Sequence, residues 1–405
     1  MTFDRWLVML CLSRSCASLM FMSYAGTLSV LRDAWGMSAT AAGSISAAFQ
    51  LGYAVSLVIF SALADRFGAR RVFQSSMVAS ALAAVAFAAF ARSYVSGLIL
   101  YTLVAVSQGG LYTTAIMLIS QRYAPERRGA AVGWLIGSSS LGYAASLMLC
   151  GVMLVHTGYI GAFLITAAGP VLGALLVWPT LRSTANVVHP ADERLHFSTG
   201  VLRNRPAMRL IVGYTGHNWE LLGMWAWTPA FVAASFAASG AGFIESAELG
   251  AYSAASFHAM GLLASSSMGW LSDQLGSRRL LLILAGVSTA CSFTFGWLLG
   301  VPAPIVLVVG AVYAFTGLGD SPILSATLTH AVRPSSLGSA LALRSLLGFG
   351  AGSAAPLVFG VVLDRMHWVP AAGAWGLAFM MLGLGGLIAV WSATGVARNT
   401  PSAVA

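Results

Sequence analysis

Residues 61–71 read Ser61-Ala-Leu-Ala-Asp65-Arg66-Phe67-Gly68-Ala69-Arg70-Arg71, and the pattern returns as Gly269-Trp-Leu-Ser-Asp273-Gln274-Leu275-Gly276-Ser277-Arg278-Arg279, offset by 208 residues. A second match, offset by 209, pairs Tyr123-Ala-Pro125-Glu126-Arg127-Arg128-Gly129-Ala130 with Val332-Arg333-Pro334-Ser335-Ser336-Leu337-Gly338-Ser339. Two matched loops at one spacing mark a duplicated half-chain, the layout of transporters that bind substrate between parallel repeats. Each loop is short, carries at least one arginine and lies between long apolar runs.

The composition agrees. Of 405 residues, 58% are hydrophobic and 8% charged, with a mean hydropathy of +0.83. Soluble domains carry roughly 25% charged residues. A soluble globule, a disordered chain and a secreted disulfide scaffold are all excluded. A membrane helix needs about 20 mostly apolar residues. Twelve such segments are read, near 6–31, 39–63, 72–91, 94–120, 129–154, 159–181, 208–236, 248–271, 280–300, 304–330, 338–362 and 371–394. The expected fold is an all-α polytopic membrane protein: twelve transmembrane helices in two pseudo-symmetric six-helix halves. The halves are 1–181 and 208–405, joined by a basic cytoplasmic loop, 182–207, that holds Pro190 and Pro206. The first apolar run is long and lacks a small-x-small site, so no cleavable signal is expected.

Every one of the 21 basic residues is arginine. A P-loop, a pyridoxal-phosphate Schiff base and a Ser-x-x-Lys acyl enzyme each need a lysine, so none of these can exist here. With the N-terminus placed in the cytoplasm, 16 arginines fall on the cytoplasmic side and three (Arg32, Arg92, Arg365) outside, while Arg14 and Arg344 lie within spans. That asymmetry predicts cytoplasmic termini and a multi-pass protein of the inner (plasma) membrane. The net charge of +9 then reflects topology and contact with anionic lipid, not nucleic acid. Cys11, Cys16, Cys150 and Cys291 sit in apolar stretches and read as small buried hydrophobes. No His-Glu-x-x-His, Cys-x-x-Cys or Gly-x-Ser-x-Gly occurs, so no enzyme, cofactor or metal is expected.

The Asp-x-x-Gly-x-Arg-Arg loops resemble the signature loop of the major facilitator superfamily, and the resemblance spans the whole chain. It implies solute transport by alternating access, with a monomer as the working unit. It assigns Asp65, Arg66, Gly68, Arg70 and Arg71 to the gating loop that locks the cytoplasmic side, with Asp273, Gly276, Arg278 and Arg279 as its second copy. A carboxylate ending the second span can accept from arginines and from a nearby helix N-terminus. Ser61, Ala69 and Gln274 depart from the family pattern, which predicts a weaker second latch. Two marks of drug exporters are missing. Ala105 stands where an arginine precedes Gln108-Gly109, and the fifth span has no Gly-Pro element. The second and eighth spans lack the arginines that nitrate porters use.

Ionisable groups inside a membrane are costly, so each is a candidate site. The resemblance places spans one, four, seven and ten around the cavity. They carry Arg14, His217, Glu220 and Asp320. At 1.5 Å per residue, Arg14 lies about 13 Å in from Arg5, and Glu220 about 16 Å in from Arg209. Arg14 is suited to gripping a carboxylate in two-pronged fashion. Glu220 could neutralise it without substrate and be displaced or protonated with substrate. A permanent Arg–Glu pair, or an Arg14 that snorkels to the interface, are the other readings. His217 and Glu220 share a helix face and, with Asp320, are the proton-coupling candidates. Arg344 is expected beside Asp320 as a gating pair. Tyr24, Gln108, Tyr112 and Trp219 complete the substrate-binding candidates, and Gln50, Tyr53 and His258 are weaker ones.

The sequence thus predicts a secondary transporter of a small organic anion, coupled to protons. Two alternatives remain at this point. One is proton-driven efflux of amphipathic drugs or metabolites, suggested by the aromatic and methionine content. The other is a non-transporting sensor or scaffold, which would have no need of buried charge.

Overall fold

The computed structural model describes residues 4–188, 200–333 and 336–396, apart from the side chains of Pro125, Glu126, Ser266 and Asp273. Among the described residues every regular element is helical. The first span is α1 (Arg5–Ser18) and α2 (Ser23–Ala34). Spans two to six are α3 (Ala39–Phe67), α4 (Ala69–Phe90), α5 (Tyr94–Arg122), α6 (Pro125–His156) and α7 (Gly158–Leu181). A short α8 (Gly200–Arg203) falls in the central loop. Spans seven to twelve are α9 (Arg205–Ala238), α10 (Phe243–Leu275), α11 (Ser277–Phe295), α12 (Ala303–Ala331), α13 (Leu337–Arg365) and α14 (Ala371–Thr394). Eleven spans among the described residues are long and apolar enough to cross a membrane. The 33-residue α10, eighth in chain order, is the other long helix of the twelve. Leu82, Phe90 and Leu175 are about two-thirds exposed on these helices (68%, 69% and 67%), a surface suited to lipid and not to water.

The chain forms two compact units: 1–37, 48–194 and 243–255 make the first, and 38–47, 195–242 and 256–405 the second. Inside the first, α1 packs on α6 and α7, and α4 on α5 and α7. Inside the second, α9 packs on α13 and α14, and α11 on α12 and α14. The two pairing schemes are the same once each helix is matched to its repeat. Lipid tails are as apolar as the helices, so packing relies on close fit. Gly216 of α9 and Gly385 of α14 supply it, since a Cβ on either would strike the other's carbonyl. The beginnings of α3 and α10 are exchanged, each grouping with the unit that holds the other half's helices.

That exchange has a visible polar anchor in the second unit. Asp364, at the end of α13, accepts from the backbone amides of Ala39 (2.9 Å) and Thr40 (2.7 Å) at the start of α3. A carboxylate there satisfies amides that have no helical partner and meets the positive helix end. Asp364→Ala is expected to cost on the order of 1–2 kcal/mol. Thermal unfolding in detergent should show the melting temperature falling by about 2–4 °C.

The turns of the repeated loop are alike. Gly68 and Gly276 precede α4 and α11 with φ of +90° and +83°, a conformation that other L-residues adopt only with strain. In the first unit the start of the central loop fastens on this turn. Asn186 Nδ2 donates to the Phe67 carbonyl (2.9 Å), and the Arg71 amide donates to Asn186 Oδ1 (3.2 Å). Arg70 donates to the Thr184 carbonyl (2.8 Å), and the Trp6 indole donates to Thr184 Oγ1 (3.0 Å). Asp4 caps α1 through the Trp6 amide and also meets Tyr123 Oη (2.6 Å) and Arg122 Nε (3.2 Å). Burial opposes ionisation of Asp4, but these donors outweigh it and hold the carboxyl below its usual range. Burial and the hydrogen bond to Asp4 push Tyr123 up to about 12.

The first span differs from the single helix expected over 6–31. It breaks at 19–22, between α1 and α2. The carbonyls that the break exposes are taken up by other helices. Gln108 of α5 donates to Ala17 O (3.1 Å), and Tyr101 of α5 to Phe21 O (2.7 Å) and Met20 O (3.3 Å). Ser146 of α6 donates to Leu19 O. Irregular backbone at membrane depth persists only when its groups are met in this way.

Candidate functional site

In the first unit the candidate is Arg14. Its position one turn before the end of α1 buries it to 2% exposure. Among the described residues Nε and Nη1 have no hydrogen-bond partner, and no carboxylate lies within ion-pair distance. A guanidinium stays charged at any accessible pH, and an uncompensated buried charge is strongly destabilising. The Tyr143 hydroxyl of α6 lies in electrostatic reach of Arg14, and of Tyr53 on α3 and Tyr112 on α5. Phe21, in the break, packs against Tyr53 (centroids 5.7 Å apart) and Tyr143 (4.8 Å). The arrangement suits a bound anion.

In the second unit, Tyr214, His217 and Glu220 follow one another on one face of α9. His217 Nδ1 is 3.0 Å from Asp320 Oδ2 on α12, and Nε2 is 2.9 Å from Ser321 Oγ. All three charged candidates are buried: His217 3%, Glu220 5% and Asp320 3% exposed. A serine hydroxyl can donate to a neutral imidazole or accept from a protonated one. The site therefore accommodates His217 in either state without repacking. Ser288 of α11 donates to Glu220 Oε1 (3.0 Å). Tyr313 of α12 lies beside the same carboxylate and donates to Ser292 Oγ (3.0 Å). Asp320 Oδ1 has no hydrogen-bond partner among the described residues.

Arg344 does not take Asp320 as its partner here. It donates to Ser325 Oγ (2.7 Å) and lies over the Tyr214 ring, 4.2 Å from the centroid. Ser325 is five residues beyond Asp320, about 7.5 Å further along a helix. The other candidates divide. Gln108 holds the break in the first span, and Trp219 donates to the Met381 carbonyl on α14 (3.2 Å). Tyr24 is 1% exposed and packs on Tyr101, centroids 5.4 Å apart. Both polar atoms of Gln108 and Trp219 that make these bonds serve helix packing. Of the gating candidates, Gly68, Arg70 and Arg71 meet the Thr184–Asn186 strap, and Arg66 stacks on Phe67 (5.3 Å). Asp65, Arg278 and Arg279 lie at the turn ends of α3 and α11, and Gly276 makes the second turn. The Asp273 side chain lies outside the described residues. No group of three His, Cys, Asp or Glu among the described residues could hold a metal ion.

Sequence reasoning passed over Tyr143, Ser288, Ser321, Ser325 and Asn186. Each is a common residue type in its setting, and no spacing marks it. The tyrosine and the serines are found only through the helices that face Arg14, His217, Glu220 and Arg344, and Asn186 only through the turn at Gly68.

Comparisons with known proteins agree with the fold. The profile of the Major Facilitator Superfamily matches residues 10–356. A probable L-galactonate transporter of Escherichia coli (strain K12) is 22% identical over 391 residues, covering 87% of this chain and 83% of that protein. A hexuronate transporter of Bacillus subtilis (strain 168) is 23% identical over 387 residues, covering 91% and 87%. A solved mutant of the nucleoside transporter NupG superposes with a TM-score of 0.75 at 13% identity, covering 97% of this chain and all of that one. The duplicated helices, the two glycine turns and the profile match lead to one conclusion: this chain belongs to the major facilitator superfamily and is a membrane transporter, not an enzyme.

Proposed function

We propose that this transporter carries a small organic anion and couples its movement to protons. The observation that carries the reading is Arg14, buried in the first unit with two guanidinium nitrogens unpartnered among the described residues. A carboxylate would satisfy that charge by paired hydrogen bonds. The relatives named as an L-galactonate and a hexuronate transporter support an acidic substrate. The buried His217–Asp320 pair and the neighbouring Glu220 support proton coupling, because each is a titratable group held inside the membrane. The halves 1–181 and 208–405, the gating role of the repeated loops, the cytoplasmic termini, the inner-membrane location and a monomeric state belong to the same proposal. The arginine asymmetry is the support for orientation.

Uptake of labelled carboxylates into proteoliposomes, with and without a pH gradient, tests the reading. Uptake of at least one carboxylate, faster with the gradient, is expected. A broad carboxylate panel with no uptake overturns it.

A further inference from the structure

We infer that the ligand held at Arg14 is a hydroxylated monocarboxylate, with its hydroxyl groups read by Tyr53, Tyr112 and Tyr143. The inference rests on the organic-anion reading and narrows it to a substrate class. Tyr143 of α6 has the one fixed cation, Arg14 of α1, and two further phenols, Tyr53 of α3 and Tyr112 of α5, all within its electrostatic reach. Phenylalanine would fill the same space without a hydroxyl, so the phenols bring hydrogen-bonding groups to the surroundings of Tyr143. Each phenol offers one donor and two acceptor lone pairs. A phenol already touching a neighbour thus keeps capacity for another bond. A substrate hydroxyl has the same double character, so it can give to one tyrosine and take from another.

The rings are set, not loose. Phe21 meets Tyr53 edge-on at 85° and Tyr143 at 36°, and Phe49 meets Phe21 at 88°. Phe21 itself sits in the break of the first span, whose carbonyls Tyr101, Gln108 and Ser146 fix. The break therefore positions the aromatic support from which the phenols reach toward the anion.

Charge limits the ligand on the other side. Among the described residues Arg14 is the one arginine in the buried class. One cation matches one carboxylate, and a second carboxylate would be buried without a counter-charge. An apolar acid would meet the cation but leave the phenols' remaining hydrogen-bonding capacity unused. A site built to hydrogen-bond a substrate hydroxyl discriminates strongly against the analogue lacking it.

Gluconate and hexanoate share a six-carbon chain and one carboxylate and differ in hydroxyls. Glucarate adds a second carboxylate. Binding of each to the purified full-length protein in detergent is read by ligand-induced thermal shift. Gluconate is expected to half-saturate at a concentration at least about tenfold below hexanoate and glucarate. Tyr143→Phe should bring gluconate to within about threefold of hexanoate and leave hexanoate unchanged. Tyr112→Phe, at a half-buried position, should act in the same direction and serves if the first variant does not fold. Arg14→Met should remove binding of both acids.

Hexanoate or glucarate binding as well as gluconate overturns the inference and leaves the anion reading standing. Equal loss of gluconate and hexanoate in the tyrosine variants also overturns it, since that is the mark of a structural role. Binding of none of the three overturns both.

Discussion

Arg14→Met is expected to lower carboxylate uptake by at least about a hundredfold while the protein melts at the same temperature or higher. The transport loss follows from removing the two-pronged grip, because a charge-assisted bidentate pair is roughly twice as strong as neutral bonds. The stability result comes from the same burial. Replacing buried charge with an apolar side chain of similar size is often neutral or stabilising by about 1–4 kcal/mol. Arg14 is 2% exposed and two of its nitrogens lack partners among the described residues, so the apolar replacement removes a cost. Most damaging substitutions lower activity and stability together. A joint fall in uptake and melting temperature would instead make Arg14 a structural residue. Arg14→Lys keeps the charge but not the planar fork, and partial uptake is expected. Initial rates in proteoliposomes and melting curves of the same preparations provide both readouts.

The second large effect lies in the other unit. Asp320→Asn and Glu220→Gln are each expected to reduce gradient-driven accumulation by at least about tenfold, while exchange of labelled for unlabelled substrate continues. Both replacements keep shape and remove one titratable group. In Asp320→Asn the His217 Nδ1 contact, 3.0 Å in the parent, can persist as a neutral hydrogen bond. In Glu220→Gln the Ser288 hydroxyl, 3.0 Å away, still finds an oxygen. Positions are kept, so a loss confined to accumulation is the signature of lost coupling. Normal accumulation in both variants would remove these residues from the coupling step. Loss of exchange along with accumulation would place them in substrate movement itself.

The charge scarcity made part of this site legible in the chain. With 8% charged residues, Arg14, His217, Glu220 and Asp320 stand out because hydrocarbon tolerates few such groups. The turns were legible for a similar reason, since Gly68 and Gly276 recur at one offset and both adopt positive φ. Partnerships were harder to read. Whether Asp320 meets His217 or Arg344 depends on the register of α9, α12 and α13, and a shift of about one turn, 5.4 Å, decides it. The break in the first span was invisible. Leu19-Met20-Phe21-Met22 holds neither proline nor glycine, the usual causes of a kink, and its hydropathy continues that of its flanks. The cause sits in Tyr101, Gln108 and Ser146, about 80 to 130 residues away (|i−j| of 80, 91 and 127).

Those sequence distances set an order of events during synthesis. The segment 5–34 enters the membrane before α5 and α6 have been made. Until they arrive, the carbonyls of Ala17, Leu19 and Phe21 lack the side chains that later meet them, and each unmet group in hydrocarbon costs several kcal/mol. A newly inserted first span is therefore expected to be one unbroken helix, with its backbone bonds closed on itself. The break is installed later, when the fourth and fifth spans bring Tyr101, Gln108 and Ser146 alongside. Assembly of this half thus ends by reopening a helix that insertion had closed, and the Arg14 neighbourhood acquires its final form only at that step.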